Sequence, residues 1–168
     1  MKNLFSTIIK AGLIVGTLDI LAAFAYNFMK SGVSPSNILR YVASGVLGNA
    51  AFSGGNIAIF SGLLFHYIIA FAFTIFFFWL FPKLNLSAKN TLLTGILYGI
   101  FIWVIMNLVV VPFSNVPKQP FNAVNAAMNA VILIVCIGIP LSFMANRFYN
   151  KNTGVSGVTH KAARQTGH

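Results

Sequence analysis

Two side chains in this sequence are out of keeping with their surroundings. Asp19, within AGLIVGTLDILAAFAYNF (residues 11–28), is the only acidic residue, set against 11 Lys and Arg. His66 is the one histidine inside an apolar run; His160 and His168 lie in a polar tail. A charged carboxylate at the centre of a bilayer costs about 2.5–3.5 kcal/mol on insertion scales, so an acid in such a place is expected to have a partner. Asp19 lies about ten residues before the end of its apolar run and His66 about ten residues after the start of the next. At about 1.5 Å per helical residue, both sit about 15 Å in from the same face if the two runs are consecutive antiparallel helices. Two outcomes are open: a neutral pair sharing a hydrogen bond, or a buried ion pair. Titration is coupled in either case. The pair reads as a structural device fixing helix register or as a site linked to proton or cation binding.

No enzymatic constellation accompanies them. Thr17 and Ser61 are ordinary hydroxyls, with no nucleophile placed at the depth of Asp19 and His66. One acid cannot make the carboxylate pair of acid–base hydrolysis. A bis-histidine haem needs a second membrane histidine. GNAAFSGG is glycine-rich but has no phosphate-loop lysine. Cys136 is the only cysteine, which excludes an intrachain disulfide and a cysteine-cluster metal site. No catalytic residue, metal or cofactor is therefore expected.

The elements that must carry these residues follow from composition. Of the 168 residues 58% are hydrophobic and 7% charged, and the mean hydropathy is +0.84. Soluble domains carry about 25% charged residues. Too little polar surface remains to cover a water-facing globule, so the lipid bilayer is the expected partner. The net charge of +10 does not point to nucleic acid, because the basic residues sit at the ends of apolar runs rather than on one face.

A spanning helix needs about 20 apolar residues, and four segments qualify: about 4–29, 56–81, 91–111 and 123–148. The expected fold is an all-α integral membrane protein, a four-helix transmembrane bundle over residues 1–150, with a flexible basic tail at 151–168. Lys2, Lys10, Lys83, Lys89, Arg147, Lys151, Lys161 and Arg164 fall on one side of it, and Lys30, Arg40 and Lys118 on the other. The positive-inside rule then makes both termini cytoplasmic. Lys10 and Asp19 interrupt the first apolar stretch, which argues against a cleaved signal peptide. The longest connection, SGVSPSNILRYVASGVLGNAAFSGG, predicts a short extra helix over about 35–52, with Ser34 as cap, Pro35 in the first turn and Gly54-Gly55 as its end. That helix either lies on the outer surface or re-enters the membrane.

Small residues let membrane helices approach. Gly12, Gly16, Asp19, Ala23 and Tyr26 share one face of the first span; Gly62, His66, Ala70 and Thr74 share one face of the second. Gly12-x-x-x-Gly16 and Gly95-x-x-x-Gly99 are both GxxxG patterns, read either as packing within the chain or as a homo-oligomer contact. They align as AGLIVG with TGILYG, a hint of a duplicated hairpin. Asn107, Asn122, Asn125 and Asn129 lie near the outer ends of spans three and four and are expected to form an outer amide cluster.

FPKLNLSAKNTLLTG follows an aromatic-rich helix that begins near His66. On these features the chain resembles the YagU-like group of small bacterial inner-membrane proteins. The resemblance covers about the middle half of the chain. It implies a bacterial inner-membrane location and the same order of elements, and no mechanism. Two functions are expected from the whole. One is a non-enzymatic structural or accessory membrane protein organised by Asp19 and His66. The other is a small proton-coupled carrier acting as an oligomer, with Asp19 as its proton site. The second is by analogy with small multidrug exporters, which also place a single acid in the first of four helices; its substrate is unspecified.

Overall fold

Long apolar runs satisfy their own backbone only as helices when no water is present. The computed structural model describes residues 3–83, 90–117 and 122–150, and these contain no strand. Lys2, Lys89, Lys118 and the tail at 151–168 lie outside them. Four helices are long and apolar enough to cross a membrane: α1 (Leu4–Ser31), α4 (Gly55–Leu80), α5 (Thr91–Phe113) and α6 (Ala123–Asn150). Between the first two come α2 (Pro35–Leu47) and the single turn α3 (Ala50–Ser53). The outer surfaces of the long helices are apolar: Leu13, Leu18 and Leu21 of α1, Ile57, Leu64 and Ile68 of α4, and Leu93 and Leu97 of α5 are all exposed. That is the distribution a lipid-facing wall requires.

Chain direction reverses at residues that tolerate it. α1 ends on Gly32 in the left-handed region (φ +65°), whose N–H bonds the Phe28 carbonyl. Pro35 opens α2. The Ser34 hydroxyl does not cap it, bonding instead to the Ser36 hydroxyl at 2.9 Å. The helix expected to reach residue 52 stops at Leu47, because Gly48 takes φ +58° and turns the chain into α3.

Helix spacing divides into two regimes. Glycines admit a neighbouring helix closely in three places, against side chains in the first and against backbone in the other two. Gly12 and Gly16 of α1 face Phe71, Tyr67 and Ala70 of α4; a Cβ on Gly12 would stand 2.5 Å from the Phe71 ring. Gly62 of α4 meets the Leu39 carbonyl of α2. Gly95 and Gly99 of α5 meet Ile134, Gly138 and Ile139 of α6. Each GxxxG thus packs on the long helix that follows it in its own hairpin. Between α4 and α5, by contrast, aromatic rings hold the backbones apart: Phe77 and Tyr98 lie 4.4 Å apart centroid to centroid, and Phe76 stacks on Phe101. Phe78, Phe81, Phe148 and Tyr149 extend this cluster toward the end of the bundle where α1 and α5 begin and α4 and α6 finish. Tyr98 donates to the Phe73 carbonyl at 2.6 Å and Tyr149 to the Phe78 carbonyl at 2.7 Å, so both rings are anchored to the backbone of α4.

Two long helices contain a π-helical turn, Met106–Val110 in α5 and Ile134–Gly138 in α6. Each ends two residues before a proline, Pro112 and Pro140. Proline has no N–H to give and crowds the carbonyl four residues back. Widening the preceding turn relieves this: the Val111 and Ile139 N–H groups bond the carbonyls five residues back, at Met106 and Ile134. The third long helix therefore passes through Pro112 and runs to Phe113 rather than ending at Val111.

Candidate functional site

The residues that opened the sequence meet midway along α1 and α4. Gly16 has no side chain, so the His66 ring reaches the α1 backbone, and its Nε2 donates to the Gly16 carbonyl at 2.8 Å. At the next residue on each helix, the Thr17 and Tyr67 hydroxyls share a second hydrogen bond of 2.8 Å between the same helices. The small-residue stripes expected on α1 and α4 do face inward here: Gly12, Gly16, Gly62, Ala70 and Thr74 are buried, and Asp19 and His66 partly so. Gly62, however, serves α2 and not α1, because it sits nearer the start of α4, where Leu39 lies against it.

Asp19 and His66 lie close enough to feel each other's charge. Their link is not a direct hydrogen bond, since the His66 Nε2–H is committed to Gly16. Among the described residues the Asp19 carboxyl accepts no hydrogen bond and forms no ion pair. A third residue is Cys136, on the π-helical turn of α6 and on the face of that span which continues from its asparagines; its nearness to Asp19 is what sequence reasoning missed. The available signal was Pro140, four residues on, which predicts a distorted turn. Among the described residues, no three His, Cys, Asp or Glu gather in an arrangement able to hold a metal ion.

The outer amide cluster is not formed as expected. Asn107 is exposed and donates to the Trp103 carbonyl of its own helix at 2.8 Å. Asn122 caps α6 through the Asn125 N–H at 3.0 Å. Asn125 accepts from the Tyr26 hydroxyl at 3.0 Å and from Lys30, both on α1. Asn129 is exposed. The polar contact at this end is therefore a clasp between α1 and α6, because Tyr26 and Lys30 are longer than an asparagine and span the gap. The loop after α5 is tied to α2 as well, by the Asn115 N–H to the Gly45 carbonyl at 3.0 Å.

With this geometry in hand, comparison with family models, with curated proteins and with solved structures returns no match to the chain. The four helices have the length and apolar composition that multi-pass helical membrane proteins require.

Proposed function

We propose that this chain is a non-enzymatic integral membrane protein with a structural or accessory role, seated in a bacterial inner membrane with both termini cytoplasmic. The observation that carries the reading is the His66–Gly16 hydrogen bond. The one membrane histidine is committed to a backbone carbonyl of the neighbouring helix, as a register-fixing side chain would be. The shared Thr17–Tyr67 bond supports the same role. α2 acts as a surface helix on the first turns of α4. Packing of Gly12, Gly16, Gly95 and Gly99 within the chain leaves those patterns serving the monomer.

A second reading rests on one further observation. The Asp19 carboxyl has no hydrogen-bond donor among the described residues, although His66 and Cys136 are near it. An acid left in that state beside a π-helical turn suits a proton site, since such turns recur at functional positions. On this reading the chain is a small proton-coupled carrier. Four helices enclose little space, so it would work as an oligomer.

Infrared difference spectroscopy of the Asp19 carboxyl stretch during a pH titration in lipid separates the two, with Asp19→Asn as the blank. A single acidic side chain makes the signal assignable. No transition across roughly pH 5–9 is expected for the structural role. A transition near neutrality would overturn it in favour of the carrier.

A further inference from the structure

At the end of the bundle where α1 begins and α6 finishes, the two helices enclose a cleft of about 340 Å³. Lys10 and Arg147 line it, with Ser6 and Thr7 supplying hydroxyls and Met144 and Phe148 supplying apolar walls. Among the described residues the positive charge there has no counter-ion within reach. Asp19 is the only side-chain carboxylate in the sequence. It lies nine residues beyond Lys10 on the same helix, about 13–14 Å along the axis.

The helix field makes this harder to explain as ordinary surface charge. Arg147 stands in the last turn of α6, where a cation suits the helix dipole. Lys10 stands in the second turn of α1, one turn past the positive helix end at which an anion is welcome. The Asn3 side chain makes no cap bond at that end, so no side chain occupies the place an anion would take. Two cations, the Ser6 hydroxyl and an uncapped helix start converge on one cleft, beside apolar surface that would be in contact with lipid.

We infer that the Lys10–Arg147 cleft seats the phosphate group of an anionic phospholipid. This rests on the membrane reading above. Phosphate is the shared chemistry: both cations and the Ser6 hydroxyl donate to its oxygens, while the Thr7 hydroxyl already donates to the Asn3 carbonyl at 3.3 Å. The lipid is the source because Ile14 and Phe143, one helical turn from Lys10 and Arg147, are exposed apolar side chains that an acyl chain would follow. Basic clefts between membrane helices are a recognised way of holding anionic headgroups.

The test is native mass spectrometry of the full chain in detergent with equal phosphatidylglycerol and phosphatidylcholine. Wild type is compared with Lys10→Gln, Arg147→Gln, the double variant, and Lys83→Gln as a control cation from another helix end. Wild type is expected to retain phosphatidylglycerol preferentially. Each single change lowers that preference about fivefold and the double change about 25-fold, while Lys83→Gln leaves it in place. Unchanged thermal unfolding of the double variant shows that the loss is not misfolding. Retention by the double variant, or equal loss in Lys83→Gln, would overturn the inference. So would displacement of the lipid by millimolar inorganic phosphate, which would make this a site for free phosphate. Extraction of the chain from vesicles by alkaline carbonate would remove the membrane reading and this inference together. Resistance to carbonate with unselective lipid retention removes the inference alone.

Discussion

The His66 Nε2 lies 2.8 Å from the carbonyl oxygen of Gly16, a residue on the neighbouring helix. A carbonyl can only accept, so Nε2 carries the proton in this contact. The same contact needs glycine at position 16, because a Cβ there would stand 3.1 Å from the Tyr67 ring and 3.2 Å from the Ala70 Cβ. Charge chemistry and close packing are thus satisfied at a single crossing point of α1 and α4.

Loss of that bond should be measurable and modest. Hydrogen bonds between membrane helices average about 0.6 kcal/mol and reach about 1.7. His66→Leu is expected to lower stability in detergent by about 1 kcal/mol, read as the free energy of unfolding in mixed micelles. No change would show that the bond is not formed in lipid-like surroundings.

The glycines should rank by what a methyl group meets. Gly138→Ala drives a Cβ into the Gly95 carbonyl, and Gly99→Ala places one 2.5 Å from the Ile134 Cα; neither backbone can step aside. Overpacking of this kind costs about 1–3 kcal/mol. Gly16→Ala should cost less, because its neighbours are side chains. Gly45→Ala, with its nearest atom at 3.7 Å, should be neutral by contact. Thermal unfolding of the four variants in that order checks the ranking, and a Gly45→Ala protein weaker than Gly138→Ala would contradict it.

Pro140 should be the cause of the wide turn in α6. Pro140→Ala restores an N–H that can bond the Cys136 carbonyl. Hydrogen exchange at residues 136–140 is then expected to slow. Exchange as fast as in wild type would mean that packing of Gly138 on Gly95, and not the proline, sustains the turn.

Tyr41, on α2, carries a hydroxyl that burial pushes above its ordinary value of 10.0. The folded state therefore holds that proton more tightly than the unfolded chain. Its contribution is complete below pH 10 and is lost as pH rises through the folded value. Tyr41→Phe should flatten the alkaline part of the stability profile, measured by denaturation at pH 9 and at more alkaline pH. An identical slope in both proteins would assign the alkaline loss to other groups.

The four long helices are legible from residues 4 to 150 because an apolar run of spanning length has few other outcomes. The depth shared by Asp19 and His66 is legible too, since rise per residue fixes height. What depth cannot supply is the direction a side chain takes around its helix. That is why Gly16, and not Asp19, is the hydrogen-bond partner of His66, and why the nearness of Cys136 to Asp19 was missed. A π-helical turn inserts a residue and rotates everything beyond it, so faces read at constant period drift. Asn107 lies inside such a turn and bonds its own helix in place of the asparagines of α6. Both turns left a mark in the sequence, a proline two residues on, which reads as a helix end when taken alone.

The two spacing regimes also have a mechanical meaning. Glycine contacts weld α1 to α4 and α5 to α6, giving two stiff struts. The seam between α4 and α5 is filled by rings that can slide over one another, and it is pinned through Tyr98, with Tyr149 of α6 pinned to α4 beside it. At the opposite end the struts are joined by the Tyr26, Lys30 and Asn125 clasp. Such a frame is fastened at both ends, by hydroxyl-anchored rings at one and by a polar clasp at the other, with α1 packed on α6 between them.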